Sequence, residues 1–407
     1  MPPRVATWRW SALLLGVSLL AGRPVLADEP AQLGFVRGYS WGWNAVRGDY
    51  ASDAAQASMA KLAETGVDHV CIAFAAEMPT AQTPRILWGD QNPRMVSNDE
   101  VRAAIRLARR HNLKVILKPT VNPADGVWRA WIKFFRPATD EETAAGHAGV
   151  ADPWASEESF RKGEVVDTQR WDQWWDDYRR FLEHYARIAA DERVEAFCVG
   201  CEMSSTEGFE TRWRATIEGI RRIYGGVLTY NCNHGRESTI NWWDQLDLIG
   251  VSGYYPIPPR SGESLEQALA TVTPKEQMVA ELADVRHELR AVSERWGKPI
   301  LFIETGVTNV RGAARRPWSH AYSMPAFPIS DEEQARYYEA MFETFWQEPW
   351  FHGFCWWDWP ARLYPAERAS RIRSFCVYGR PAAGILRDWY TSRERPVLDA
   401  GPSSSTE

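Results

Sequence analysis

The chain has 407 residues, 45% hydrophobic and 25% charged, with 28 Gly and 25 Pro. That balance belongs to a folded globular protein and excludes disordered, collagen-like and fibrous classes. Its 47 Lys and Arg against 53 Asp and Glu give a net charge of −6, so there is no basic field to hold a nucleic-acid backbone. Tryptophan is abundant, at 22 residues. Two uses compete for so much indole: ordinary packing, and flat surfaces for ligands with apolar faces, sugars among them.

In chain order, Arg4 and Arg9 precede an apolar run over 11–22, SALLLGVSLLAG, followed by Val25-Leu26-Ala27. A basic start, a short apolar stretch and small residues at the exit predict a secretory signal peptide over 1–27. A membrane anchor is the competing reading, but the run falls short of the roughly 20 apolar residues a span needs. No later run approaches that length, so no membrane association is expected once the signal is removed. The expected location is secreted or periplasmic. Six Cys (Cys71, Cys198, Cys201, Cys232, Cys355 and Cys376) would permit disulfides there. Most lie in apolar strand-like runs, which favours buried free thiols. Cys198 and Cys201 are three apart in a predicted strand and face opposite sides, against a shared metal or redox pair.

From Leu33 onward, short β-rich runs alternate with helical periodicity. The predicted strands are Phe35–Trp41, His69–Phe74, Lys114–Lys118, Ala196–Glu202, Val227–Asn231, Leu246–Ser252, Ile300–Glu304 and Gly353–Trp357. Most are near-continuous apolar stretches, as strands buried on both faces should be. The clearest amphipathic segment is Trp171–Ala189, with Trp171, Trp174, Trp175, Tyr178, Leu182, Tyr185 and Ala189 on one face. Others run over 52–64, 99–111, 207–224, 274–296 and 331–346. Eight such cycles predict a (β/α)8 TIM barrel, a single α/β domain over 28–391 with long βα loops. A doubly wound open sheet is the structural alternative. The surplus length falls in loops after the third, sixth and seventh strands; the first of these, about 120–168, carries Trp128, Trp131 and Trp154. Residues 392–407, ending in Gly401-Pro402-Ser403-Ser404-Ser405-Thr406-Glu407, are expected to be a disordered tail.

The C-terminal ends of barrel strands form the catalytic face. The fourth strand ends at Glu202 and the seventh at Glu304, and in a barrel those ends face each other across the mouth. One strand-end Glu is ordinarily a salt-bridge partner. Two converging carboxyls amid many Trp suit glycoside hydrolysis, in which one protonates the leaving oxygen and the other attacks the sugar or activates water.

Glu202 and Glu304 resemble the acid/base and nucleophile of the clan A retaining glycoside hydrolases. Further residues narrow the likeness: Arg37-Gly38-Tyr39-Ser40-Trp41, Lys118-Pro119, Gly253-Tyr254-Tyr255-Pro256, Phe302-Ile303-Glu304-Thr305-Gly306 and Phe354-Cys355-Trp356-Trp357-Asp358-Trp359. With Gly379-Arg380-Pro381-Ala382 and Leu386-Arg387-Asp388-Trp389-Tyr390, the chain resembles glycoside hydrolase family 113 over nearly all of residues 33–391. The resemblance implies β-1,4-mannanase activity by double displacement. In one respect the chain departs from the clan: where Asn usually precedes the acid/base and binds the sugar 2-hydroxyl, Cys201 stands here, and a thiol is a weak donor.

A retaining mechanism predicts carboxyls ~5–5.5 Å apart, an inverting one ~6.5–9.5 Å. Glu304 must be ionised and needs donors, for which Tyr254 is the candidate; Glu202 must begin protonated, favoured by burial. Trp41, Trp357 and Trp359 are candidate platforms under sugar rings. Glu77, Lys118, Asn122 and Asn231 are candidate partners for sugar hydroxyls, and Asp358 is a candidate helix cap. His287-Glu288-Leu289-Arg290-Ala291 lacks the second His of a zinc helix. No phosphate loop, dinucleotide fingerprint or serine elbow is present, so no cofactor and no metal are expected. The expected partner is a polysaccharide or oligosaccharide, with a monomeric enzyme acting on β-mannan. The competing readings are a non-catalytic carbohydrate-binding barrel and a retaining hydrolase of another β-glycan, glucan or galactan.

Overall fold

The computed structural model describes residues 33–145, 163–320, 323–324 and 327–394. The expected signal peptide at 1–27, positions 395–407 of the expected tail, and Trp154 lie outside the described residues.

Eight parallel strands close into a barrel: Val36–Trp41, His69–Met78, Lys114–Pro123, Ala196–Cys201, Val227–Asn233, Leu248–Ser252, Ile300–Thr305 and Phe351–Trp359. Each pairs with its neighbours in the chain, and the first closes on the eighth through Val36↔Gly353 and Gly38↔Cys355. Closure rules out the open doubly wound sheet. Helices Asp53–Ala63, Asn98–Arg110, Thr168–Asp191, Glu210–Arg221, Lys275–Trp296, Asp331–Phe345 and Pro381–Ser392 cover the outside. After the fifth strand only a 3-10 turn, Trp243–Gln245, fills the crossover. None of the described helices is long and apolar enough to cross a membrane.

Both faces of the strands are buried, which is why they read as unbroken apolar runs. Val36, Cys71, Ile116, Cys198, Leu301, Ile303 and Cys355 fill the inside, and all six cysteines are buried free thiols. The larger residues face outward onto the helices. Trp174, Trp213, Trp242, Trp243, Trp346 and Trp356 are fully buried there; Trp174 stacks on Tyr178 and Trp213 on Trp242 with centroids 4.7 Å apart. Much of the tryptophan excess is therefore packing. Ser97 starts the second helix with a reciprocal capping box to Glu100, satisfying backbone donors the first turn leaves free.

The second and third strands run past Phe74 and Lys118, where the sequence predicts they end. They stay paired from His69↔Lys114 to Met78↔Pro123, whereas third and fourth strands pair only at Ile116↔Ala196 and Leu117↔Phe197. Pro119 interrupts the row of donors and reads as a strand end, yet pairing to the second strand continues through it. Above the barrel these two strands form a ribbon that lifts Glu77 and Asn122 toward the rim. The following loop contributes a 3-10 turn, Arg129–Trp131, and a small antiparallel pair, Phe135–Pro137 with Glu164–Val166.

Closure depends on Gly353, whose φ is +118° and where a Cβ would stand 2.1 Å from the Val36 carbonyl oxygen. Gly353→Ala is expected to cost at least about 2–3 kcal/mol. Gly384, inside the last helix with nothing near its missing Cβ, is the control: Gly384→Ala is expected to stabilise by about 0.5–1 kcal/mol. Denaturant unfolding of the two variants measures both shifts, and equal effects would contradict this account.

Candidate active site

A cavity of about 850 Å³ opens at the C-terminal ends of the strands. Glu202 and Glu304 both line it, with Asn122, Arg129, Tyr254 and Trp357. Glu202 follows the last residue of the fourth strand with φ of +53°. Its N–H donates to the Asn231 carbonyl at 2.7 Å; that left-handed step, uncommon for a residue with a side chain, turns the carboxyl out of the strand repeat. Glu304 lies within the seventh strand and is 4% exposed.

Donors converge on Glu304. Oε1 accepts from the Lys118 ammonium, from Asn231 Nδ2 at 3.1 Å and from the Cys201 thiol at 3.4 Å; Oε2 accepts from the Tyr254 hydroxyl at 3.2 Å. Burial alone would push this carboxyl up, but the charges of Lys118 and Arg129, with the Lys118 and Cys201 hydrogen bonds, hold it below the usual carboxylate range. Lys118 is fully buried, with Nζ 5.1 Å from the centroid of the Trp357 ring.

Glu202 sits in a different field. Its Oε2 accepts from Arg129 Nη2 at 2.8 Å. Burial raises its pKa, the Arg129 charge opposes that, Glu304 adds to the rise, and the net shift is upward. Two carboxyls in one cavity are thus driven apart, one toward the anion and one toward the acid. That separation is how acid and nucleophile roles are divided between like groups.

Several sequence-predicted residues have other jobs. Lys118 and Asn231 are fully buried and serve Glu304, so neither reaches a sugar hydroxyl. Trp41 and Trp359 are fully buried beneath the first helix; their indole N–H groups donate to Ser58 Oγ at 3.1 Å and to the Ser58 carbonyl at 3.2 Å. A platform must be accessible, so both are corrected to packing residues. Glu77 is paired with Arg94 and lies outside the cavity lining. Asp358 caps no helix: the following helical turns begin after Pro365 and Arg380. Asn122 and Trp357 do line the cavity.

Arg129 was not singled out by sequence reasoning, because it lies in a loop without periodicity. Its guanidinium also donates to the Cys201 carbonyl at 3.0 Å and to Asn122 Oδ1 at 2.9 Å, and it lies 5.4 Å from the Trp43 ring centroid. The available clue was a lone Arg flanked by Trp128 and Trp131 in a loop leaving the catalytic face. Trp128, Trp131 and Trp318 line the cavity and are exposed; His234 stacks on Trp318 at 5.2 Å. Among the described residues no group of three His, Cys, Asp or Glu could hold a metal.

The model of glycoside hydrolase family 113 matches residues 39–146 and 150–380. The chain belongs to glycoside hydrolase family 113. Among solved structures, a family 113 β-mannanase from Alicyclobacillus acidocaldarius, in complex with ManMIm, is 36% identical, with a TM-score of 0.73 over 89% of this chain and 99% of that one. A family 113 β-1,4-mannanase is 31% identical, with a TM-score of 0.71 over 89% of this chain and 100% of that one. A Faecalibacterium prausnitzii β-glucuronidase, 13% identical with a TM-score of 0.52 over 89% of this chain and 49% of that one, shares the fold alone. A search of curated proteins finds no match to the chain. This family 113 glycoside hydrolase thus carries its two cavity carboxylates at the ends of strands four and seven.

Removing Lys118 leaves a buried charge unpaired, so Lys118→Met is expected to destabilise by about 3–5 kcal/mol. Adding Glu304→Gln removes that orphan charge, and the double variant is expected to be more stable than Lys118→Met alone. Denaturant unfolding across the double-mutant cycle measures this coupling; strict additivity would contradict the pairing.

Proposed function

We propose that this protein is a retaining endo-β-1,4-mannanase exported from the cell. The observation that carries the chemistry is two carboxyls facing one cavity with unequal partners: Glu304 accepts from Lys118, Asn231, Cys201 and Tyr254, and Glu202 from Arg129, an asymmetry that favours the anion on Glu304 and the acid on Glu202. Glu304 attacks the anomeric carbon while Glu202 protonates the departing oxygen. Glu202 then takes a proton from the water that releases the sugar from Glu304, returning both groups to their starting state. Tyr254 and Lys118 keep Glu304 aimed and ionised. Trp43, Trp128, Trp131, Trp318 and Trp357 give a polysaccharide flat apolar faces along the cavity.

The choice of mannan is supported by the names of the neighbours at 36% and 31% identity, a β-mannanase and a β-1,4-mannanase. Export is supported by the basic, apolar and small-residue succession over 1–27. Cys201 contacts Glu304 rather than the cavity and is 1% exposed; recognition of the 2-hydroxyl falls to other groups.

Soluble β-mannan is expected to yield new reducing ends. Glu304→Gln is expected to abolish turnover with the fold retained but destabilised, since buried Lys118 loses its counter-charge, and Glu202→Ala to be rescued in part by azide on activated substrates. Binding of mannan without any release of reducing ends would overturn the enzymatic reading in favour of a binding barrel. Faster cleavage of a β-glucan or galactan would overturn the choice of sugar.

The pH dependence follows from the same shifts. Rising pH ionises Glu304 below the ordinary carboxylate range, so kcat/KM climbs early; further rise strips the proton from Glu202 above that range, so kcat/KM falls late. The expected profile is a bell broader than two unshifted carboxyls would give, with apparent values belonging to the pair. A profile with no alkaline limb before unfolding would contradict the acid role of Glu202.

A further inference from the structure

The double displacement proposed above moves one negative charge from Glu304 to Glu202 and back. In the first half, a Glu304 oxygen bonds to the anomeric carbon, the bond to the leaving oxygen breaks, and the Glu202 proton goes to that oxygen. Glu304 is now a neutral ester and Glu202 a carboxylate. In the second half, Glu202 accepts a proton from water, the water oxygen bonds to the anomeric carbon, and the ester bond returns its electron pair to Glu304. A cation fixed on Glu304 alone would help only one of these states.

Lys118 is such a cation: fully buried, and bonded to Glu304. Arg129 is placed differently. Its Nη2 lies 2.8 Å from Glu202 Oε2 and 3.4 Å from Cys201 Sγ, and the Cys201 thiol is 3.4 Å from Glu304 Oε1. Three successive contacts therefore join one carboxyl to the other through this guanidinium. The fork is locked by the Cys201 carbonyl and Asn122 and is 7% exposed, so it does not swing away when the charge moves. The described groups facing Glu202 besides Arg129 are Glu304 in the cavity, Lys118 buried beside it, Cys201 before it, Ser252 at the end of the sixth strand, Tyr254 on the loop that follows, and Glu207 on its own loop. Of these the cations are Arg129 and Lys118, and of the two it is Arg129 that hydrogen-bonds Glu202.

We propose, resting on that double-displacement reading, that Arg129 is the positioning residue of the second half-reaction, holding Glu202 as the carboxylate that activates water once Glu304 is consumed in the glycosyl-enzyme. The short turn Arg129–Trp131 that carries it ends in one cavity-lining tryptophan, Trp131, and is preceded by another, Trp128. The loop after the third strand thus supplies part of the catalytic apparatus and not only wall.

The test uses Arg129→Met and Arg129→Lys with an aryl β-mannobioside bearing a good leaving group, so that the first step needs no proton. In both variants kcat, which then reports release of the sugar, is expected to fall roughly 10–100-fold, part of the roughly 10²–10⁴-fold a general base contributes. kcat/KM for the same substrate is expected to fall much less, so KM drops, a pre-steady-state burst of phenol grows, and azide restores turnover. Arg129→Lys, which keeps the charge without the fork, is expected to lie between wild type and Arg129→Met and to remain folded if the Met variant does not. Equal losses in kcat and kcat/KM, with no larger burst and no azide rescue, would overturn the proposal and leave Arg129 a loop anchor. Absence of any covalent sugar adduct in the wild-type enzyme would instead overturn the double-displacement reading beneath it.

Discussion

Everything at the mouth of this barrel is arranged around one buried negative charge. Glu304 sits in a seventh strand packed on both faces, where an unpaired carboxylate would be untenable. The Lys118 ammonium beside it, fully enclosed and backed by the Trp357 ring, makes the anion the stable form. Neither partner is tolerable without the other, so the third and seventh strands are committed to a shared geometry across the barrel. Asn231, Cys201 and Tyr254, from the fifth, fourth and sixth strand ends, complete the donor set. Five strands thus meet on one carboxylate.

This constraint explains the contrast with Glu202. The same burial acts on both carboxyls, but the cations are distributed unequally: Lys118 belongs to Glu304, and Arg129 reaches Glu202 while its field extends to both. Cys201 occupies the middle. Its thiol is pushed up by burial, so it stays protonated and able to donate to Glu304 while accepting from Arg129 and Asn231. A sulfur at this point in the chain serves the internal network rather than the sugar.

The barrel was legible because its strands are buried on both faces, which leaves unbroken apolar runs such as Ile300–Thr305, and because the helices between them carry regular stripes. The positions of Glu202 and Glu304 were legible for the same reason: a carboxylate ending an apolar run is conspicuous. What could not be read is contact across the mouth. Lys118 and Asn231 look like rim residues by position, yet their side chains point into a closed network. Trp41 and Trp359 close their strands as platforms would, yet lie under the first helix, because strand alternation alone does not say which side of the sheet a residue faces once register shifts occur near Trp41. Arg129 has no pattern at all; only the folded loop brings it within reach of Glu202. Trp43, Trp128, Trp131, Trp318 and Trp357 line the cavity while Trp174, Trp213 and Trp242 pack helices, so composition could announce the abundance of indole but not its division.

The most direct test of the central claim, that the donor-held Glu304 is the group that bonds to the sugar, is covalent trapping. The native enzyme would be incubated with a 2-deoxy-2-fluoro-β-mannosyl fluoride, digested, and the labelled peptide sequenced by mass spectrometry. A single fluoro-mannosyl adduct on Glu304 is the predicted result. A label on Glu202 or any other residue would contradict the account.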